Sequence, residues 1–276
     1  MSISAADVKK LRDVTGVGMM DCKKALAEAN GDFEAAIDLL RTKGQKVAAK
    51  RADREAKEGV IATSSTADGK PTILVEVNCE TDFVALNEDF QAFAKELSDL
   101  VLADLPADRD AFMKSTMKDG RTISDALTDM TGKMGEKIDV RRTQVMTSAD
   151  GKIISYIHPG SRLGVLVDIA GSGDLEAAGR DVAMQVAALN PIATGRDEVP
   201  QDVKDHEMKI AADIAREEGK PEKLIERIST GKLERYYKDF VLLEQPFVKD
   251  SSQTVGDMLK GVGASVKTFT RFALGG

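Results

Sequence analysis

Leu74-Val75-Glu76-Val77 and Leu166-Val167-Asp168-Ile169 stand 92 residues apart, and this pair decides the reading of the fold. Each is a short apolar run with one acid at its third position. Shifted by 92 residues, the chain overlays itself without a gap. Gly59, Ile61 and Thr63 fall on Gly151, Ile153 and Ser155; Asp82 falls on Asp174 and Asp89 on Asp181; Phe90, Ala94 and Leu97 fall on Val182, Val186 and Leu189. A register held over this length marks a duplicated unit. Each copy reads as strand, turn, strand, helix. Ile138 to Met146 is expected to close the first copy, and Val241 to Val248 with Val266 to Leu274 the second. Helices over 121–135 and 254–261 separate these strands. The expectation is two similar α+β subdomains, each a small antiparallel sheet covered on one face.

Before the repeat, three short amphipathic helices are expected. Ser4 and Asp7 form a capping box ahead of Val8, Leu11 and Val14. Gly16-Val17-Gly18 breaks that helix, and Cys22, Ala25, Leu26 and Ala29 follow at helical spacing. Asn30-Gly31 stops the second helix; Phe33, Ala36, Ile37 and Leu40 mark the third, which Gly44 is expected to end. Stripes this short must share one core. Residues 45–58 are helical in type and nearly all polar, expected as a solvated linker helix, with a basic patch for RNA as the alternative. The organisation expected is therefore a three-helix head over 1–44, a linker over 45–58, and core subdomains over 59–147 and 148–276. Within the second, about 202–236 reads as an antiparallel helical hairpin turning at Glu217-Glu218-Gly219-Lys220-Pro221. Pattern alone leaves open whether this pair projects or lies on the sheet.

Composition narrows function. The 276 residues are 42% hydrophobic and 31% charged, as in a soluble globular protein. Lys and Arg total 39 against 46 Asp and Glu, a net charge of -7, which opposes approach to a polyanion. Aromatics are 4%, with no Trp, so a base-stacking platform is not expected. Neither direct nucleic-acid binding nor a membrane partner is expected: Met1 to Lys10 has no apolar signal core, and no apolar run approaches a span of ~18–20 residues. Two distant cysteines, Cys22 and Cys79, fit a reduced, cytoplasmic compartment.

Catalytic groups are scarce. His158 and His206 are the only histidines, no Cys/His cluster has metal spacing, and no phosphate loop occurs. Gly171-Ser172-Gly173 follows a strand, yet Glu176 stands where a dinucleotide fingerprint needs its third glycine. No cofactor, metal or enzymatic activity is expected. Two segments stand out. Asn78-Cys79-Glu80-Thr81-Asp82-Phe83-Val84 joins a strand to a helix and carries Phe83 and Val84 where a connecting loop is ordinarily polar. Pattern favours Phe83 folded back into the core over an exposed side chain. A Cys79 nucleophile with Glu80 as base is a further alternative, without a histidine to support it. Tyr156-Ile157-His158-Pro159-Gly160-Ser161-Arg162 is the turn between the first two strands of the second copy, with His158 read as a surface residue and a contact or ligand role as the alternative. A binding protein that acts by contact is the reading, an adaptor using the three-helix head among its forms.

Two stretches resemble a known family. Leu11-Arg12-Asp13-Val14-Thr15-Gly16-Val17-Gly18-Met19-Met20-Asp21-Cys22-Lys23-Lys24-Ala25-Leu26 is similar to the opening signature of bacterial translation elongation factor Ts, and Glu76-Val77-Asn78-Cys79-Glu80-Thr81-Asp82-Phe83-Val84-Ala85 to its second signature. The order of segments resembles the family along essentially the whole chain, including a ubiquitin-associated-like head. The resemblance implies a guanine-nucleotide exchange factor that binds GDP-bound elongation factor Tu and speeds release of GDP and Mg²⁺. It implies that Thr81, Asp82, Phe83 and Val84 enter the GTPase domain near its magnesium site. It likewise implies that Arg12, Met19 and Met20 of the head dock there, and that the turn carrying His158 faces another domain of the partner. The chain departs from some members at Phe272-Ala273-Leu274-Gly275-Gly276, where they continue into a further helix, so the contact made by that helix is not expected.

Overall fold

The computed structural model describes residues 3–275; of the terminal stretches considered above, Met1, Ser2 and Gly276 lie outside the described residues. The head is α1 (Ala5–Thr15), α2 (Met19–Glu28) and α3 (Phe33–Arg51). The Ser4 hydroxyl accepts the Asp7 amide at 3.1 Å and the Asp7 carboxylate accepts the Ser4 amide, the expected capping box. Val8, Leu11, Cys22, Ala25, Leu26, Ala36 and Leu40 form the shared core.

Gly44 does not end the third helix, as the sequence suggested. α3 runs through it to Arg51, so the expected linker helix is a continuation of α3 and is helical only that far. Gly44 serves close approach instead. It faces Gly132 of a later helix, where a Cβ on Gly132 would lie 2.6 Å from the Gly44 Cα. Two glycines in register let the helices touch backbone to backbone and seat the head on the first core unit.

That unit holds β1 (Glu58–Ser65), β2 (Thr72–Cys79), α4 (Asp82–Ala85), α5 (Glu88–Asp104), α6 (Arg109–Lys114), α7 (Ile123–Met134) and β3 (Asp139–Met146). The second holds β4 (Lys152–Ile157), β5 (Leu163–Gly171), α8 (Leu175–Leu189), α9 (Gln201–Glu217), α10 (Glu222–Phe240), β6 (Pro246–Phe247), β7 (Asp250–Thr254), α11 (Val255–Gly261) and β8 (Ala264–Ala273). The antiparallel sheets have orders β1-β2-β3 and β4-β5-β8, with the central strands at the repeat offset. Both carry a bulge at the same place, between Glu76 and Val77 and between Asp168 and Ile169. Gly59 and Gly151 press against equivalent carbonyls, those of Val77 and Ile169, leaving no room for a side chain. The duplication thus extends to backbone irregularities.

Each sheet is covered on both faces, not one. Val75 and Val77 pack under Phe90, Ala94 and Leu97 of α5. Val167 and Ile169 pack under Val182 and Val186 of α8. On the opposite faces Ile61, Leu74 and Met146 meet Ile153, Leu166 and Phe272, so the sheets stack between outer helices. This explains why every residue of β2 is buried. Glu76 is buried among them and accepts Arg142 Nε at 2.7 Å and Asn78 Nδ2 at 3.1 Å; the Arg142 guanidinium lies over the Phe272 ring. A buried carboxylate so partnered avoids the cost of an unpaired charge.

Val241 to Val248 is not the strand that was expected. A 3-10 turn over Leu242–Glu244 leads into the two-residue β6, paired with β7 in a small hairpin. The Glu244 and Gln245 amides donate back to the Val241 carbonyl at 3.0 and 3.1 Å, bonds of a tight turn that an extended strand cannot make, while Val241 is buried at the base of the helical hairpin and Leu242 in the second core. The helical hairpin projects. α9 and α10 pack chiefly on each other, through Ala211, Ala215, Ile225 and Ser229, and are rooted by Tyr237, Val241, Val199 and Ala193. The 17 residues of α9 extend about 25 Å. His206 is exposed on this arm.

Candidate functional site

Past the end of β2 the Thr81 hydroxyl caps α4, accepting the Val84 amide at 3.4 Å. α4 is a single turn. Leu86 ends it and Asn87 is extended, its side chain capping α5 at the Asp89 and Phe90 amides. Ala85 is buried and Val84 packs against the first core, so the turn is rooted. Phe83 and Leu86, three apart and hence on one face, point away: Phe83 is 81% exposed and Leu86 69%.

The second copy is an internal control. At the repeat offset Phe83 corresponds to Leu175 and Leu86 to Ala178. There the helix starts at Leu175 and runs on without a break. Leu175 packs against the second core and Ala178 is buried. The Leu86-Asn87 break in the first copy separates the first turn from its helix and turns two apolar side chains into solvent. Pattern reasoning, which favoured a Phe83 in the core, is thereby corrected. Leu86 was missed, although Asn87 ahead of the acids Glu88 and Asp89 is a helix-start signal that leaves Leu86 outside.

The other candidate residues lie on the β4–β5 turn and on the head. His158 is exposed in the β4–β5 turn, its Nδ1 2.9 Å from the Tyr156 hydroxyl. That turn docks on β1: the Ile61 amide donates to the Ser161 carbonyl at 2.6 Å, and Arg162 pairs with Glu58. The Glu58 bond, aided by the negative charge of nearby Asp82, raises the Arg162 pKa above its ordinary value. Lys133 links the head to the start of α5. Its side chain lies against Gly16 and its ammonium is 2.8 Å from Asp89 in the first turn of α5. Arg12 and Gly16 line a cleft of about 700 Å³ between the head and α5 and α7. Met19 and Met20 are exposed at the start of α2, with Val14 exposed in α1.

Cys79 and Glu80 are not arranged as a nucleophile and its base. Cys79 is fully buried, its Sγ donating to the Thr81 carbonyl at 3.1 Å. Burial, with the charges of Glu136 and Glu58, pushes its thiol up to about 12, so it carries almost no thiolate at neutral pH. The Glu80 carboxylate is engaged by Arg51 and the Lys137 amide and is not free as a base. Among the described residues no His, Cys, Asp or Glu side chains gather to hold a metal, and no helix is long and apolar enough to cross a membrane.

The family model described as Elongation factor TS matches residues 80–276. The chain is 49% identical to elongation factor Ts of Chloroherpeton thalassium, over 99% of this chain and 98% of the relative. The chain belongs to the elongation factor Ts family. Elongation factor Ts of Prosthecochloris aestuarii is 47% identical over 99% of both chains, and that of Hydrogenovibrio crunogenus 47% over 100% of this chain and 92% of its own. These alignments take in the head, which the family model does not reach. Membership places the chain among the elongation factors of protein synthesis.

Proposed function

We propose that this chain is the guanine-nucleotide exchange factor of elongation factor Tu, and that it acts by contact, without covalent chemistry of its own. The observation that carries this reading is the outward Phe83 on an ordered, rooted turn, where the second copy of the same unit buries its counterpart. The turn Thr81-Asp82-Phe83-Val84 enters the GTPase domain close to the bound magnesium. Magnesium bridges nucleotide phosphates and protein oxygens, so shifting the elements that hold it loosens GDP. Arg12, Met19 and Met20 of the head dock on the same domain, and the His158 turn faces another part of the partner. The site of action is the cytoplasm, where translation proceeds.

Magnitudes require several surfaces. Burying one phenylalanine supplies ~1.5–3 kcal/mol, and each decade of weaker GDP binding needs ~1.4 kcal/mol. Phe83 alone therefore supports about one to two decades. Anything larger draws on the head and the second core unit, which binding couples to the same distortion. The coupling is reciprocal, so GDP weakens binding of this chain by the same factor. The test is release of fluorescent GDP from loaded elongation factor Tu as this chain is added. Acceleration that saturates with concentration is expected; an unchanged rate at saturating chain refutes the proposal.

A further inference from the structure

Two carboxylates cross over behind the exposed turn. Glu136, just past the end of α7, accepts the Glu80 amide at 3.2 Å, the Thr81 amide at 2.9 Å and the Thr81 hydroxyl at 2.6 Å. In exchange the Glu80 carboxylate accepts the Lys137 amide at 2.7 Å and the Arg51 guanidinium at 2.7 Å. The acid of each segment thus binds the backbone of the other. Gly135, at φ 72 in the left-handed region, turns the chain out of α7 so that Glu136 faces Thr81. The Lys137 ammonium donates to the Ala52 carbonyl at 2.6 Å, tying the end of α3 to the same clasp.

The clasp governs the direction of Phe83. Thr81 is the cap of α4, and Glu136 holds both its amide and its hydroxyl. Hydrogen bonds to a charged acceptor are about twice as strong as neutral ones. The far end of α4 is also held, by the Gln91 side chain donating to the Ala85 carbonyl at 3.1 Å and by the Asn87 cap. A turn fixed at both ends presents Phe83 in one orientation. An apolar wedge distorts a partner only while it is stiffer than the surface it displaces; a mobile one folds onto that surface and adds affinity without strain.

We propose that Glu136 is a positioning residue of the exchange turn, holding Thr81 so that Phe83 is presented as a rigid wedge, registered to the head through Arg51 and Lys137. The role rests on the exchange reading given above. Glu136 acts through Thr81 and need not touch the nucleotide or the magnesium ion.

Three full-length variants and two readouts test it. Glu136→Ala removes every acceptor, Glu136→Gln retains one oxygen for the two amides, and Thr81→Val removes the hydroxyl from the opposite side. Amide hydrogen exchange over residues 80–86 is measured on the free chain, and the maximal GDP-release rate and half-saturating concentration with elongation factor Tu. Glu136→Ala is expected to speed amide exchange at Glu80 and Thr81 by ~10-fold or more and to cut the maximal rate by ~10-fold, with half-saturation within about twofold. Glu136→Gln restores both to within about threefold, and Thr81→Val falls between. Unchanged amide exchange in Glu136→Ala, a wild-type maximal rate despite faster exchange, or no rescue by Gln overturns the positioning role. Failure of the wild-type chain to release GDP overturns the exchange reading itself, a different result.

Discussion

Truncating Phe83 to alanine separates a wedge from a core residue. In the free chain the side chain is 81% exposed, so only about a fifth of its surface contributes to folding. Complete burial of a phenylalanine is worth ~1.5–3 kcal/mol, and the folded chain realises about 0.3–0.6 kcal/mol of it. For a protein of this size that lowers the melting temperature by about 1–2 °C. The remaining ~1.2–2.4 kcal/mol becomes available only when the partner covers the ring. At ~1.4 kcal/mol per decade, Phe83→Ala is expected to slow GDP release about 7- to 50-fold at saturating chain. The assay is stopped-flow release of fluorescent GDP from elongation factor Tu, with a thermal melt of the same preparation. A melting temperature lowered by more than about 5 °C, or release within twofold of wild type, refutes the reasoning.

Three further outcomes follow from named contacts. Gly132→Val overpacks the contact with Gly44 and costs about 1–3 kcal/mol, loosening α3 from α7; limited trypsin digestion should cut faster between Ala52 and Lys57, and an unchanged rate contradicts the glycine contact. Cys79, with its thiol pushed up to about 12, should resist iodoacetamide in the native chain at pH 8 and react only after denaturation; native labelling at Cys79 contradicts the buried placement. Burial raises the Glu80 carboxyl, but the Lys137 amide and Arg51 outweigh it and hold it below its ordinary value of 4.5. A depressed folded value gives stabilisation that is complete above the unfolded value and lost as pH falls through the folded one. The Lys137 amide resonance should therefore titrate with a midpoint below about 4.5, and a midpoint at or above it contradicts the bond.

The duplicated core was legible because both copies meet the same demands: a central strand buried on two faces, a glycine against a carbonyl, and a bulge at one register. What escaped were features set by contacts distant in sequence. Gly44 looks like a helix stop until Gly132 is seen opposite it. Val241 to Val248 looks like a strand until the Glu244 and Gln245 amides are seen folding back onto the Val241 carbonyl. The sheets were expected to be covered on one face because no local pattern states that Leu74 will meet Leu166. At the site the family signature picked out Thr81 to Val84, while apolar patterning turned Phe83 inward. The deciding element was the Asn87 cap, which restarts the helix and strands Phe83 and Leu86 outside. Glu136 was invisible for a plainer reason: a polar residue after a helix carries no mark that its carboxylate reaches a turn more than fifty residues earlier.

The contact between the turn and the GTPase domain is the centre of this account, and a photocrosslinker in place of Phe83 probes it most directly. The full-length chain with Phe83→benzoylphenylalanine is mixed with GDP-bound elongation factor Tu, irradiated and digested, and the joined peptides are mapped by mass spectrometry. The account predicts an adduct within the GTPase domain, among the elements that surround the magnesium site, suppressed by excess wild-type chain. An adduct confined to another domain of the partner, or none while the two proteins still associate, would contradict it.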